Sequence, residues 1–393
     1  MPWPAVTMNE ARIEFVRRAQ ASGINVAQLC RECGISRKTG YKWLERAREE
    51  GLRGMRERSR RPRRSPAQVD ESTICALGKL KLAHLRWGPK KIRRLYQKAY
   101  GAAPSLSTCQ RILRKLGLVQ SRRRRMRRPW ASLSAEPAVR VPNDLWTVDF
   151  KGWWRALDGR RCEPLTVCDA YSRQVLAAVV MSGTGGAEVR AVFVQLFQRH
   201  GLPRAIRSDN GSPFAAANAP LGLSRLASWW LSLGINPVRG RPGCPQDNSA
   251  HERMHGDIAA EVSQHVQPDR VAQQAALDLW RREYNEVRPH ESLQGRCPAE
   301  VYRNSDRRYD EQPPEYAAGY HVRRICSHGC FKWNGQSVFV TTAITGHEVG
   351  LRLMTNQTYE IWLYHVRIGT FDSQTCAFQV APSRDLERAR LSA

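Results

Sequence analysis

The chain has 393 residues, long enough for two to four domains and at least one large core. It is strongly basic, with 63 Lys and Arg against 36 Asp and Glu, and the first 130 residues hold 33 of the bases and nine of the acids, a net +24 out of +27. A positive field concentrated in this way points to a polyanion. No apolar run approaches the roughly 18 to 20 residues of a membrane span, and the opening MPWPAVTMNE lacks a basic-then-apolar secretion signal, so a cytoplasmic, nucleoid-associated protein without a membrane partner is expected.

Residues 1–55 read as a helix-turn-helix domain. MNEARIEFVRRAQ sets Ile13, Phe15 and Val16 on a helical stripe, and NVAQLCREC gives a second helix that stops at Gly34. SRKTGYKWLERAREE then starts with Ser36 as N-cap and carries Tyr41, Leu44 and Arg48 at helical spacing. Two helices joined by a tight turn put Arg37, Lys38, Thr39 and Lys42 at the start of the second, where such residues meet base edges and phosphates in the major groove. Cys30 and Cys33 fall inside a helix and have no second ligand pair, which speaks against zinc.

Residues 56–68 form a basic Gly/Pro/Arg linker. Residues 69–120 hold a second helical unit, with two helices separated at Gly88-Pro89 and a third, SLSTCQRILRKLGLV, ending at Gly117. This pattern resembles a second helix-turn-helix, with or without a wing. Residues 121–138 are an Arg-rich linker in which Arg122, Arg123, Arg124 and Arg125 suit phosphates or a narrow minor groove. A solvated spacer is the alternative reading of that arm.

Residues 139–303 alternate strands and helices. DLWTVDFKGWW, CEPLTVCDAYSR and QVLAAVVM read as three strands, GAEVRAVFVQLFQRHG as an amphipathic helix and PRAIRSDNG as a short strand running into a turn. The helix LSRLASWWLSLG, the short strand NPVRG and two further helices follow. Hairpins first and crossover helices after predict a mixed sheet with helices on its faces. Residues 316–380 switch to β-hairpins of a small barrel or sandwich. Cys326 and Cys330 lie there, again without a second ligand pair at zinc spacing.

Three acids stand out. Asp149 lies in the first core strand, Asp209 at the end of the fourth, and Glu252 near the start of a later helix. Carboxylates from the first and fourth strands become neighbours if those strands pair, and a helix entering beside them supplies the third. Oxygen ligands on rigid elements suit Mg²⁺ or Mn²⁺, and two such ions about 3.5 to 4 Å apart serve an in-line phosphoryl transfer. Each acid also has a plain reading: Asp209-Asn210-Gly211 is turn chemistry, Asp149 suits a solvated edge, and Glu252 suits a helix N-terminus.

The motifs WTVDF, SDNGSPF, GRPGCPQDNSAHERMHG and YNEVRPHESL, in this order, resemble the catalytic core of insertion-sequence transposases of the DDE (retroviral integrase) superfamily. The resemblance covers about residues 140–302, with 60 residues from Asp149 to Asp209 and 43 from Asp209 to Glu252. It implies an RNase H-like core with Asp149, Asp209 and Glu252 as catalytic, metal-binding residues, served by two Mg²⁺ or Mn²⁺ ions. It also implies double-stranded DNA as partner, namely the terminal inverted repeats of an element and a target, cut and joined by a homo-oligomer. The whole is then multidomain: α-helical helix-turn-helix units, an α/β RNase H-like core and a small all-β C-terminal module.

Departures and rivals remain. His251-Glu252-Arg253-Met254-His255 fits the HExxH word of zinc metalloproteases, but the extended pattern fails, with Ile258 and Glu261 at its Gly and His positions. On a helical plot Met254, Ile258 and Val262 form the apolar stripe with His251 near its centre, so the histidines read as packing groups. Asp169 reads as structural, Asp247 is the rival to Glu252, and Arg288 and His290 suit either phosphate or a helix stop. A catalytically inactive DNA-binding regulator is the other reading of the whole chain.

Overall fold

The computed structural model describes residues 7–58, 69–119, 139–209, 211–216, 219, 222–239 and 249–381. Arg122–Arg125, Asp247 and the two linkers' central parts lie outside the described residues. The chain divides into two compact units, Met1–Glu71 and Ser72–Ala393.

The first unit is a three-helix fold. Helices α1 (Met8–Ala19), α2 (Val26–Glu32) and α3 (Arg37–Glu50) bury Phe15, Val16, Leu29, Cys30 and Trp43, and a 3₁₀ turn adds Met55. Thr7 and Glu10 form a reciprocal capping box, and Asn25 and Ser36 cap the next two helices. The α2–α3 crossing needs glycine at position 40, because a Cβ there would lie 2.3 Å from Cys30 Sγ.

The second unit begins with three helices, α4 (Glu71–Ala83), α5 (Pro89–Tyr100) and α6 (Leu106–Lys115). Gly88 and Pro89 open α5 as the sequence indicates. No strand occurs within residues 69–119, so this described part carries no wing. These helices lie against the following core: His84 meets Glu283 at 3.0 Å and Lys98 meets Glu300 at 3.1 Å.

The core sheet uses β1 (Leu145–Phe150), β2 (Trp154–Arg155), β3 (Arg161–Asp169) and β4 (Val175–Met181). Then come α7 (Gly186–His200), β5 (Ala205–Ser208), α8 (Arg225–Ser232) and β6 (Asn236–Arg239). The first expected strand is broken at Lys151–Trp153, where Gly152 takes φ +85°, so DLWTVDFKGWW gives β1 and β2 rather than one strand. The main order is β4-β3-β1-β5-β6, with β1 antiparallel to β3 and parallel to β5, and β2 pairs with the start of β3. The sheet is mixed, as the element order predicts.

Side chains alternate across it. Trp146 and Val148 of β1 and Leu165 and Val167 of β3 face one core with Phe193 and Phe197 of α7 and Trp230 of α8. Cys168, Val175 and Ala178 face a second core with Met254, Ile258, Val262, Leu277, Trp280 and Tyr284. Those come from α9 (Ser249–Glu261) and the residue just after it, from α10 (Arg270–Arg282) and from the π-helical turn Glu283–Val287. Burying each large side chain of this kind contributes about 1.5–3 kcal/mol. The short α11 (Pro298–Val301) closes the core.

The C-terminal part is all-β. Strands β7 (Tyr320–Arg324), β8 (Cys330–Trp333), β9 (Gln336–Phe339), β10 (Glu348–Leu353), β11 (Thr358–Leu363), β12 (Val366–Asp372) and β13 (Ala377–Val380) follow in turn. They make a five-stranded antiparallel sheet, β13-β12-β11-β10-β7, and the hairpin β8-β9. Their core includes Leu223, Ala227 and Leu231, so α8 is shared between both sheets.

Candidate active site

The parallel pairing of β1 with β5 sets Leu145 beside Ala205, Trp146 beside Ile206 and Thr147 beside Arg207. The offset is 60 residues, the same as the spacing of Asp149 and Asp209. Extended two residues beyond the last pair, that register would put Asp149 opposite Asp209, which lies just past the end of β5. Gly211 suits the turn after Asp209, since a Cβ there would lie 2.9 Å from Asp209 Oδ2.

Alternation along β1 places Thr147 and Asp149 on the face toward α9, and Asp149 stands directly opposite Thr166 of β3. Helix α9 returns His251, Met254, His255 and Ile258 to that face at i, i+3, i+4 and i+7. Met254 and Ile258 are buried in the second core, with Met254 Sδ 3.2 Å from Cys168 Sγ. Glu252 is one step off the buried stripe and exposed.

The electrostatics join the three acids. Asp149 is pushed up to about 6, chiefly by burial, then by the nearby charge of Asp209 and, less, of Glu252, against a backbone hydrogen bond from Phe150. None of the three pairs with Lys or Arg among the described residues. Carboxylates near enough to act on one another's charge, with no Lys or Arg paired to them, are by their chemistry a donor set for a hard divalent cation. Among the described residues no three His, Cys, Asp or Glu side chains converge as a ready-made metal cage.

The HExxH histidines are held by threonines. Thr166 Oγ1 donates to the Asp149 carbonyl oxygen at 2.9 Å and lies 2.7 Å from both His251 Nε2 and His255 Nε2. Thr147 Oγ1 lies 2.8 Å from His251 Nδ1. The two rings meet edge-on at 4.7 Å between centroids. Burial drives His251 well below its ordinary pKa and, with the charge of Lys151, brings His255 down to about 3. Two neutral rings bound to one hydroxyl do not form the paired ligand face of a zinc protease, which removes that reading. Thr147 and Thr166 were not legible as site residues, although their place two residues before Asp149 and across the ladder was the available signal.

Other expected residues fall as follows. Asp169 is fully buried and accepts from Asn143 N, Ser172 N and Ser172 Oγ, a structural acid. Arg288 does not face solvent for phosphate: it is buried, pairs with Asp257 at 2.8 Å and Glu261 at 3.3 Å on α9, and lies over the Trp87 and Tyr284 rings. His290 is brought down to about 3 by burial and by surrounding cations. On α3, Arg37, Lys38 and Lys42 are exposed and Thr39 is half-buried, its N–H donating to Ser36 Oγ at 3.1 Å. Lys42 Nζ lies 5.1 Å from the Trp43 ring centroid.

Comparison with known proteins bears on this arrangement. Residues 140–245 and 233–298 match two families, each described as an integrase core domain. An uncharacterized 39.2 kDa protein of insertion element IS476 from Xanthomonas euvesicatoria is 28% identical over 263 residues, covering 66% of this chain and 68% of the relative. An uncharacterized 31.7 kDa protein of insertion element IS407 from Burkholderia multivorans is 27% identical over 234 residues, covering 58% and 81%. The two integrase core matches and the insertion-element relatives together support an insertion-sequence transposase of the DDE/integrase superfamily.

The other matches cover the helical part of the chain and its core. Residues 11–63 match a helix-turn-helix domain family and residues 39–113 a homeodomain-like domain family. The catalytic core domain of HTLV-2 integrase, solved in complex with magnesium, is 15% identical, covers 42% of this chain and 98% of its own, and has a TM-score of 0.33. No helix among the described residues is long and apolar enough to cross a membrane.

Proposed function

We propose that this transposase binds the ends of a mobile element through its helix-turn-helix units and carries out metal-dependent phosphodiester hydrolysis and strand transfer at Asp149, Asp209 and Glu252. The observation that carries the reading is the 60-residue offset of the β1–β5 register, whose extension by two residues points Asp149 toward Asp209, together with the push on Asp149 from both other acids.

Asp149 and Asp209 come from paired strands and supply carboxylate oxygens on a rigid base, while Glu252 supplies a third from the exposed edge of α9. Two Mg²⁺ or Mn²⁺ ions, when bound, activate the attacking oxygen and stabilise the leaving one. The face beneath the acids is closed by Thr147, Thr166 and the two neutral histidines, which hold α9 in register with β1 and β3. The exposed Arg37, Lys38 and Lys42, with Thr39, are assigned to element-end DNA, as are Arg122–Arg125. A homo-oligomer on DNA follows from the need to bring two ends together.

The test is direct: purified protein with Mg²⁺ and a pre-cleaved terminal-repeat oligonucleotide should join it to plasmid DNA, and Asp209→Asn or Glu252→Gln should abolish joining. Specific binding of the repeats by the unaltered protein, without any joining, would instead support the DNA-binding regulator.

A further inference from the structure

The proton positions around Thr166 are fixed by valence. A hydroxyl offers one proton and two lone pairs. The Asp149 carbonyl oxygen accepts only, so it takes the Thr166 proton. His251 Nε2 and His255 Nε2, both 2.7 Å from the same oxygen, must then both donate. His251 is completed at its other nitrogen, which takes the Thr147 Oγ1 proton at 2.8 Å in preference to the Cys168 carbonyl oxygen at 3.4 Å. His255 is not. Its Nδ1 makes no hydrogen bond among the described residues, and Asp149 Oδ2 lies 3.8 Å from it. Lys151 is the charged neighbour of this ring but makes no hydrogen bond to it among the described residues. An imidazole nitrogen and a carboxylate oxygen at this separation, with no group bonded between them, leave room for one cation bound to both.

We infer that His255 Nδ1 is a nitrogen ligand to the divalent ion held at Asp149, so that the site is a mixed nitrogen and oxygen set. This rests on the metal reading of Asp149, Asp209 and Glu252. The Thr166 hydroxyl, accepting from His255 Nε2–H, holds the imidazole in the tautomer a metal needs, the arrangement by which outer partners orient metal-bound histidines. His251 is barred from the same role because both its nitrogens are engaged. The HExxH word therefore keeps its glutamate and its second histidine, in a site whose other ligands come from the strands. An imidazole also biases the site toward transition ions relative to Mg²⁺.

The experiment uses the full chain with Mn²⁺ alone. Binding is followed by the loss of the free-ion electron paramagnetic resonance signal, and nitrogen coordination by electron spin echo modulation. The expected result is ¹⁴N modulation of a directly bound imidazole, which changes to the ¹⁵N pattern when the protein is grown with ¹⁵N-histidine. His255→Ala and the milder His255→Asn should lose the modulation and weaken Mn²⁺ binding by at least about tenfold, since even the outer partner of a ligand is worth that much, while His251→Gln keeps the modulation. Mn²⁺ bound in an Asp149-dependent way without imidazole modulation overturns the inference and leaves the metal reading standing, and so does modulation that survives both His255 variants. Mn²⁺ binding that is absent, or unaffected by Asp149→Asn, overturns both. The ¹⁵N-histidine arm needs no substitution, so a variant that fails to fold does not remove the test.

Discussion

Thr166 stands directly across the antiparallel ladder from Asp149, and its hydroxyl donates to the Asp149 carbonyl oxygen at 2.9 Å while accepting from two histidines of α9. One oxygen thus ties the first acidic strand, its neighbour and the helix bearing Glu252. Thr166→Val keeps the shape and strands three polar groups, each worth about 1–3 kcal/mol when left unpartnered. A loss of roughly 2–5 kcal/mol in urea unfolding is expected for the valine variant, and near wild-type stability for Thr166→Ser. Equal stability of the two variants would contradict the network.

Acid should destabilise the protein. His251 is depressed well below its ordinary pKa, and His255 and His290 fall to about 3, so the unfolded chain binds these protons first as the pH drops below about 6.5. The stability is complete above that value and is lost progressively toward pH 3. Asp149, at about 6 when folded, works the other way, because protonation there favours the folded state as the pH falls from 6 to 3.8. Three histidines outweigh one aspartate, so unfolding in the presence of a chelator should show lower stability at pH 5.5 than at 7.5, by about 3 kcal/mol. Stability that stays flat or rises on acidification would overturn the assignment of neutral rings.

Arg288 fastens α9 to the turn that follows α10. Its side chain is 6% exposed and it holds both Asp257 and Glu261, and removing one member of such a buried set costs about 3–5 kcal/mol. Arg288→Ala should lower the melting temperature sharply, whereas a phosphate contact would leave stability unchanged and weaken DNA binding instead. Differential scanning fluorimetry beside a DNA titration separates the two.

The exposed bases of α3 make a salt prediction. Replacing Arg37, Lys38 or Lys42 by alanine should each reduce the slope of log K against log salt for terminal-repeat DNA by about one if the residue meets a phosphate. Fluorescence anisotropy at several salt concentrations reads this, and an unchanged slope for all three would remove α3 from the interface.

Much of the site was legible because it rests on local patterns. Asp149 ends an alternating apolar strand, Asp209 follows a short buried one, and the Met254, Ile258 and Val262 stripe shows which side of α9 is covered. Two things were not legible. The break after Phe150 depends on Gly152 leaving the strand conformation, and a run of Lys-Gly-Trp-Trp does not announce it. The role of Thr166 depends on a register between segments 17 residues apart and on a helix 85 residues further on. For Arg288 the helix stop holds, since it caps the turn Glu283–Val287 before Pro289, but its burial against Asp257 and Glu261 depends on α9 lying alongside, which no local pattern announces.

The central claim is that Asp149, Asp209 and Glu252 act together on DNA. The most direct measurement is joining of a pre-cleaved terminal-repeat oligonucleotide to plasmid DNA with Mg²⁺, comparing the unaltered protein with Asp149→Asn, Asp209→Asn and Glu252→Gln, each first shown to bind the repeat. The account predicts joining by the unaltered protein and a loss of at least about a hundredfold in every variant, the scale of removing a key electrostatic group from an active site. Joining that survives any one of the three substitutions at wild-type rate would contradict it.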